Sequence, residues 1–235
     1  MAESDAQPEP ALTEVLDPDL YPDLIRQGGL AAAMSDVARR NNIDLGTVGV
    51  HSRSGRFNSA MIDSGRGTIS VLLGAERRFF DVNIYGKTHP WARGATDDLT
   101  ATVMVADAWR RGATLTELTG EFPFMSCTEL AQAYESGDPV TTQWQRLLED
   151  GDLESIRPLL RAAYANSRIR SLFPVVSHTT LLRLARNPVD RSGDETWITQ
   201  TSDDAYRVEL TRRDRPQRVA GSPGEAIEVA LSYLD

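Results

Sequence analysis

Four short strand-like segments lie between residues 47 and 85, and tight turns separate them. The segments span residues 47–51, 57–63, 68–73 and 78–85. The links at residues 64–67 and 74–77 combine glycine with polar residues, as short hairpin turns do. Parallel strands need crossover connections of a dozen or more residues, so links this short predict an antiparallel β-meander.

The residues after the meander carry strong helix-start signals. Asp97 or Asp98 can accept hydrogen bonds from the free amides of a first turn, and apolar residues follow at helical spacing. Thr114 and Glu117 have the spacing of a capping box for a second helix. The same spacing recurs at residues 126–129, which predicts a third helix in this part of the chain.

Two more predicted helices, over residues 143–149 and 156–164, lead into a second β region. Strand patterns at residues 181–184, 197–200 and 206–211 precede a C-terminal amphipathic helix. The sequence therefore predicts an α+β fold. It comprises an antiparallel β-meander with flanking helices, a central helical segment and a C-terminal β-β-β-α unit.

The composition predicts a four-part organisation. Residues 1–20 contain six acidic residues and no basic residue, which predicts a disordered acidic tail. We expect an N-terminal α+β domain over residues 21–127, a helical segment over 128–174 and a C-terminal α+β domain over 175–235. Alternatively, the C-terminal domain forms one domain with the N-terminal part.

Charge and composition argue against several classes of protein. The formal net charge is -9 and no stripe alternates basic with aromatic residues, so nucleic acid is not expected as a partner. No apolar run reaches the roughly 20 residues of a membrane span, and the first residues lack the features of a secretory signal. The single cysteine, Cys127, excludes an internal disulfide. We expect a cytoplasmic protein without a membrane partner.

His178, Cys127 and Arg183 are the candidate catalytic residues. His178 lies in a polar cluster, where it can act as a general base or contact an anion together with Arg183. Alternatively, its ring satisfies backbone groups at a turn. Cys127 lies at a predicted helix start, which favours the thiolate and allows a nucleophilic pair with His178. Alternatively, Cys127 is a small buried hydrophobe.

The candidate binding residues are polar, aromatic or basic side chains that can contact a peptide or an acidic ligand. They are Ser177, Thr180, Phe122, Phe124, Trp91, Arg168 and Arg170. Trp91 falls in a predicted exposed loop at residues 87–94, whereas the other three tryptophans are predicted to lie in the core. His51 and His89 lie in separate segments without metal-ligand spacing, so neither a metal site nor another cofactor is expected.

Several sequence blocks carry a resemblance to a known family. The blocks are Trp109-Arg110-Arg111-Gly112-Ala113-Thr114-Leu115-x-x-Leu118, Phe122-Pro123-Phe124, Gln143-Trp144, Arg157-Pro158-Leu159-Leu160-x-x-Ala163-Tyr164, Leu172-Phe173-Pro174-Val175-Val176-Ser177-His178-x-Thr180-Leu181 and Gly221-x-Pro223-x-Glu225-Ala226. In these blocks the chain resembles an actinobacterial family of unknown function that is labelled a natural-product biosynthesis protein. The resemblance covers nearly everything from Tyr21 to the C-terminus. It implies a bacterial cytoplasmic protein that serves specialised-metabolite assembly, such as that of a modified ribosomal peptide, and it assigns no catalytic residue.

Three functional hypotheses follow. The first is a non-catalytic accessory protein that binds a precursor peptide or a partner enzyme at a sheet edge or in an apolar groove. The second is a cofactor-free tailoring enzyme, such as a cyclase, that uses His178 with Cys127 or Arg183. The third is an immunity-type interaction protein, which the acidic charge permits.

Overall fold

A computed structural model of the chain describes residues 15–50, 57–190, 193–202, 204–211 and 216–234. The chain divides into two units, residues 1–128 and 129–235. Each unit contains one antiparallel sheet with helices, so the predicted α+β class is confirmed. The two predicted β regions form two separate sheets, of six strands and five strands.

The first unit combines a six-stranded sheet with helices that precede and follow its main meander. Its helices are α1 (Pro22–Gln27), α2 (Leu30–Arg40), α3 (Leu99–Arg110) and α4 (Leu115–Glu121). Its strands are β1 (Val48–Gly49), β2 (Ser59–Ser64), β3 (Gly67–Leu73), β4 (Phe80–Tyr85), β5 (Pro90–Thr96) and β6 (Met125–Ser126). Strand order in the sheet follows chain order, as the short links predicted. Of the predicted first strand, residue 51 lies outside the described residues.

The meander register is fixed by an apolar face. Ile62, Ile69 and Ile84 are cross-strand neighbours in β2, β3 and β4, and all three are fully buried. Successive strand residues point to opposite sides, so a one-residue slip would expose this row to water. Helices α2 and α3 pack against this sheet.

The predicted loop at residues 87–94 is wrong, because Pro90–Thr96 forms β5 and pairs with β4. Pro90 and Gly94 weakened the strand pattern, but both suit their positions. Pro90 is the first residue of the strand, where a missing N–H is tolerated. A Cβ at Gly94 would collide with the carbonyl oxygen of Phe124 and lie 2.9 Å from the Cα of Met125. Glycine therefore allows β6 to approach β5 closely.

The helix caps largely follow the sequence signals. Asp98 accepts a 2.7 Å hydrogen bond from the backbone N–H of Thr100 and so caps α3. Thr114 and Glu117 form the predicted capping box of α4. Ser126 is not a helix cap, because it belongs to β6 and the next helix begins at Glu129.

Part of the predicted acidic tail belongs to the folded unit. Leu16 is buried, and the carbonyl oxygen of Leu20 accepts a 3.0 Å hydrogen bond from the guanidinium of Arg78. The hydroxyl of Tyr21 bonds to backbone groups of the β3–β4 link, including the carbonyl oxygen of Gly74 at 2.9 Å. The prediction for residues 1–14 lies outside the described residues.

The second unit combines helices with a five-stranded sheet. Its helices are α5 (Glu129–Ser136), α6 (Pro139–Glu149), α7 (Arg157–Ala165), α8 (Ser167–Arg170) and α9 (Pro223–Leu231), with a 3₁₀ turn at Gly151–Leu153. Its strands are β7 (Phe173–Ser177), β8 (Leu181–Ala185), β9 (Glu195–Ser202), β10 (Ala205–Leu210) and β11 (Arg218–Ala220). They lie in the order β11-β10-β9-β8-β7.

Two of these strands are absent from the sequence prediction. Phe173-Pro174 begins β7, an edge strand where proline is tolerated, and the proline obscured the strand pattern. Strand β11 has three residues, too few for a recognisable alternation. The C-terminal unit therefore has five strands before its final helix, two more than predicted.

Candidate functional site

The second sheet has a helix-covered face and an outer face. Leu182, Ile198 and Val208 are fully buried and pack with residues of the helices. Side chains alternate along a strand and paired residues share a face, so their sequence neighbours lie on the other side. That side is called the outer face, and the residues that define it are Phe173, Val175, Ser177, Leu181, Arg183, Ala185, Glu195, Trp197, Thr199, Arg207, Glu209 and Val219. Its end at Phe173 and Ala185 is buried, and the ring of Phe173 lies 5.9 Å from that of Tyr134 of α5.

Glu195 joins two other side chains of the outer face to form one cluster. Its carboxylate is buried, with 6% side-chain exposure. The Oε2 atom accepts hydrogen bonds from the Nε of Arg183 at 2.9 Å, from its terminal nitrogen at 2.7 Å and from the indole N–H of Trp197 at 2.9 Å. The guanidinium carbon of Arg183 also lies 5.3 Å from the centre of the Trp197 ring. We call these residues the Arg183-Glu195-Trp197 cluster.

Strand register brings the cluster together. Arg183 of β8 is directly opposite Trp197 of β9, and Glu195 is opposite Ala185. Thr211 fixes the start of β9, because its hydroxyl accepts from the amide of Glu195 at 2.9 Å and its own amide donates to the Glu195 carbonyl at 3.0 Å. A buried carboxylate needs such charge-assisted hydrogen bonds to offset its desolvation. The result is a tryptophan and an arginine held rigidly on a sheet surface.

The predicted polar cluster around His178 forms the turn between β7 and β8. Ser177 ends β7 on the outer face, whereas His178, Thr179 and Thr180 are exposed in the turn. His178 and Thr179 have φ angles of 52° and 56°, a left-handed conformation that is costly for a β-branched residue such as threonine. The carbonyl oxygen of Thr180 accepts a 2.8 Å hydrogen bond from the amide of Gln200, which ties the turn to β9.

Arg183 is on the same hairpin as His178 but is bonded elsewhere. Its guanidinium binds Glu195, which lies opposite Ala185, two residues farther from the turn than Arg183. In the described contacts, Arg183 therefore binds Glu195 and lies against Trp197, and it does not contact His178. A catalytic pair of His178 with Arg183 stays a prediction.

Cys127 belongs to the first unit and His178 to the second. Cys127 is half-buried and lies between β6 and α5, two residues before the start of that helix. The nucleophilic pair of Cys127 with His178 stays a prediction.

The aromatic binding candidates of the first unit are built into its packing. Phe122 is buried, and its ring centre lies 6.0 Å from that of the half-buried Phe124. Trp91 lies in β5, where its indole N–H donates to the backbone oxygen of Arg66 at 2.9 Å. Its ring lies 5.7 Å from that of Trp109. These contacts favour a structural role over ligand binding.

Arg168 and Arg170 lie on the short helix α8 of the second unit, and both are exposed. The guanidinium of Arg170 lies 5.3 Å from the centre of the Tyr164 ring, which is a cation-π arrangement. Neither residue is part of the outer face.

The sequence analysis does not predict three residues of the outer face as site residues. Trp197 was predicted in the core, which is wrong, because it is half-buried on the outer face. Glu195 and Arg207 were not singled out. The burial of Tyr206 and Val208 on either side of Arg207 follows the strand alternation, and that alternation could have indicated an outward arginine.

Other features of the described residues offer weaker candidate sites. A cavity of about 440 Å³ beside the end of α2 is lined by Arg39, Asn42 and Asp44 among others, and it contains none of the predicted site residues. Within the described ranges, no group of three or more His, Cys, Asp or Glu side chains is arranged to hold a metal ion. The described helices are also too short or too polar to cross a membrane.

Comparison with known proteins finds a family match within the second unit. Residues 138–234 match a family of unknown function, DUF6193. The matched segment begins just before α6 and contains α6 to α9, the whole second sheet and every residue of the outer face. The match therefore supports the part of the resemblance that concerns a domain of unknown function in the second unit. It does not include the sequence blocks before residue 138. No curated protein and no solved structure matches the chain significantly.

Proposed function

We propose that this chain is an accessory protein of bacterial natural-product biosynthesis that binds a precursor peptide or a partner enzyme. The outer face of the second sheet is the proposed binding surface. The observation that carries the proposal is the Arg183-Glu195-Trp197 cluster, which presents a half-buried tryptophan and an arginine on the outer face of the sheet.

Tryptophan and arginine are, with tyrosine, enriched among the side chains that dominate binding energy at interfaces. Ordering a flexible side chain on association costs about 0.5–1.5 kcal/mol. Because Glu195 already fixes Arg183 and Trp197 by three hydrogen bonds, much of that cost is met during folding. A rigid surface of this kind suits peptide recognition.

The biosynthetic setting is supported by the resemblance of the sequence blocks, among them the Leu172–Leu181 block that contains β7 and its turn. A modified ribosomal peptide is the class of product that this resemblance implies. The precursor of such a product is itself a peptide, which agrees with a binding role. We place the protein in the bacterial cytoplasm as part of this proposal.

A cofactor-free tailoring enzyme is the second candidate function. The observation that favours it is the exposed His178 in a left-handed turn at the end of the hairpin that carries Arg183. Backbone strain concentrates at functional sites, where the surrounding structure maintains it. In this alternative, His178 acts as the general base on a peptide that is bound beside it.

The test separates the two functions with one set of samples. Candidate precursor peptides are titrated into the protein by calorimetry, and the mixtures are then analysed by mass spectrometry, thiol labelling and chromatographic retention. We expect binding that Trp197→Ala weakens at least tenfold and His178→Ala leaves unchanged, without a new product. Met104→Ala, which truncates an exposed apolar side chain of the first unit, is the matched control. A product that disappears in His178→Ala would instead establish the enzyme.

A further inference from the structure

Arg207 is an arginine of the outer face without a partner in the described part of the chain. The side chain is half-buried, and its Nε atom is buried without a hydrogen-bond acceptor. Arg183, by contrast, has its charge balanced by Glu195 at 2.7 Å. No ion pair of Arg207 is formed among the described residues, so an incoming carboxylate gains a charge-assisted contact there that Arg183 already makes with Glu195.

The neighbours of Arg207 suit a carboxylate on an extended chain. In the ladder, Arg207 lies opposite Thr199 of β9 and Val219 of β11. The hydroxyl of Thr199 adds a second type of donor, and Val219 is 69% exposed beside it. Glu209 lies two residues along β10 on the same face, opposite Trp197, and forms no ion pair with Arg207 among the described contacts. The negative charge of Glu209 would repel a ligand carboxylate placed beside Trp197. A position next to Arg207 is therefore favoured for that carboxylate.

The spacing between Arg207 and Trp197 matches that of an extended peptide. The two residues are diagonal neighbours on adjacent strands, and such positions are separated by about 7–8 Å. Side chains two residues apart in an extended segment repeat at about 6.6–6.8 Å on one face. One peptide can therefore place an apolar side chain on Trp197 and, two residues away, an acidic side chain on Arg207.

We propose that the partner of the outer face is an extended acidic peptide segment, in which an aspartate or glutamate pairs with Arg207 two residues from an apolar side chain on Trp197. This inference rests on the proposed binding function. It adds the chemistry of the partner and the spacing of its two recognised side chains.

The experiment selects peptides without assuming a natural partner. A displayed library of random dodecapeptides is selected on the immobilised full-length protein, and peptides that also bind Trp197→Ala are discarded. The selection is repeated on Arg207→Glu, and Arg161→Glu is the control because it reverses the charge of an exposed arginine on α7. Circular dichroism and thermal unfolding show whether each variant folds.

We expect the Trp197-dependent peptides to be enriched in aspartate or glutamate two residues from an apolar residue. Arg207→Glu should weaken binding of the selected peptides at least tenfold. Selection on Arg207→Glu should instead enrich lysine or arginine at the peptide position that was acidic. Arg161→Glu should change neither result. If Arg207→Glu does not fold, replacing the peptide's acidic residue with glutamine or asparagine should weaken binding to the unmodified protein to the same extent.

Two results would overturn the inference in distinguishable ways. The selected Trp197-dependent peptides could show no acidic enrichment, or replacing their acidic residue could leave binding unchanged. Either result would refute the acidic partner but not the proposed binding function. Selection that yields no Trp197-dependent peptide would overturn both the acidic partner and the proposed function.

Discussion

At the scale of single residues, Glu195 holds the side chains that make the outer face distinctive. Its sequence neighbours gave no sign of this, because its partner Arg183 lies twelve residues earlier and meets it only through the register of β8 with β9. His178, Ser177 and Arg183 were found from sequence because they fall in one short polar segment. The alternation within β10 indicates that Arg207 points outward, but the contact of Glu195 with Arg183 and the position of Arg207 near Trp197 depend on pairing between strands.

Glu195→Gln should destabilise the second unit and weaken binding at the outer face. The amide still accepts from Trp197 but leaves the half-buried Arg183 without its counter-charge. Because Arg183 retains 29% exposure, we expect a loss of about 1–3 kcal/mol in the free energy of unfolding, below the range for fully buried pairs. Urea unfolding measures the change. Glu209→Gln, on the same face, should stay within about 0.5 kcal/mol of the parent, and equal losses in the two variants would contradict the role of Glu195.

Asp23 should give a pH-dependent contribution to stability. Burial raises the pKa of Asp23, but the hydrogen bonds and charge of Arg78, together with backbone amides, lower it below its ordinary value of 3.8. A carboxyl with a lowered folded-state pKa stabilises above its unfolded-state pKa and loses that effect as the pH falls through the folded-state value. Both side chains are about one-third exposed, so Asp23→Asn should cost less than about 1 kcal/mol at pH 7.

Urea unfolding of the parent and Asp23→Asn at pH 7 and near pH 2 tests this sign. The two proteins should differ at pH 7, and the difference should shrink as the pH falls through the folded-state pKa of Asp23. A difference that persists at the low pH would contradict the ionic origin of the contribution.

At the scale of elements, helices were easier to predict than strands. The caps at Asp98 and Thr114 are local signals, since the capping side chain and the amide that it binds are two or three residues apart. Strands β5 and β7 each begin at or near a proline, and a local pattern does not show that the proline occupies a first or edge position. Strand assignment depends on neighbours that are distant in sequence.

Gly94→Ala tests the close approach of β6 to β5. The added methyl group would meet the backbone of Phe124 and Met125, so we expect overpacking to cost about 1–3 kcal/mol. Gly65→Ala is the matched control, because a Cβ at Gly65 would meet nothing within 4 Å. Thermal unfolding of the two variants gives the comparison. Equal melting temperatures would show that β6 moves away at no cost.

At the scale of the whole molecule, each unit has its own sheet, and the second has its own core. Trp144, Leu159, Leu160 and Ile198 belong to one buried cluster in which every residue lies between 144 and 233. The family match falls within the same unit. We therefore expect residues 129–235, expressed alone, to fold cooperatively, with a dispersed amide NMR spectrum and a single unfolding transition. A collapsed spectrum or the absence of a transition would show that this core depends on the first unit.

The central claim is that the outer face of the second sheet binds a peptide through Trp197. The most direct measurement is the dissociation constant of candidate precursor peptides for the parent protein, Trp197→Ala and Met104→Ala by isothermal titration calorimetry. The proposal predicts saturable binding that Trp197→Ala weakens at least tenfold and Met104→Ala leaves unchanged. Binding that is equally tight in all three proteins would contradict it.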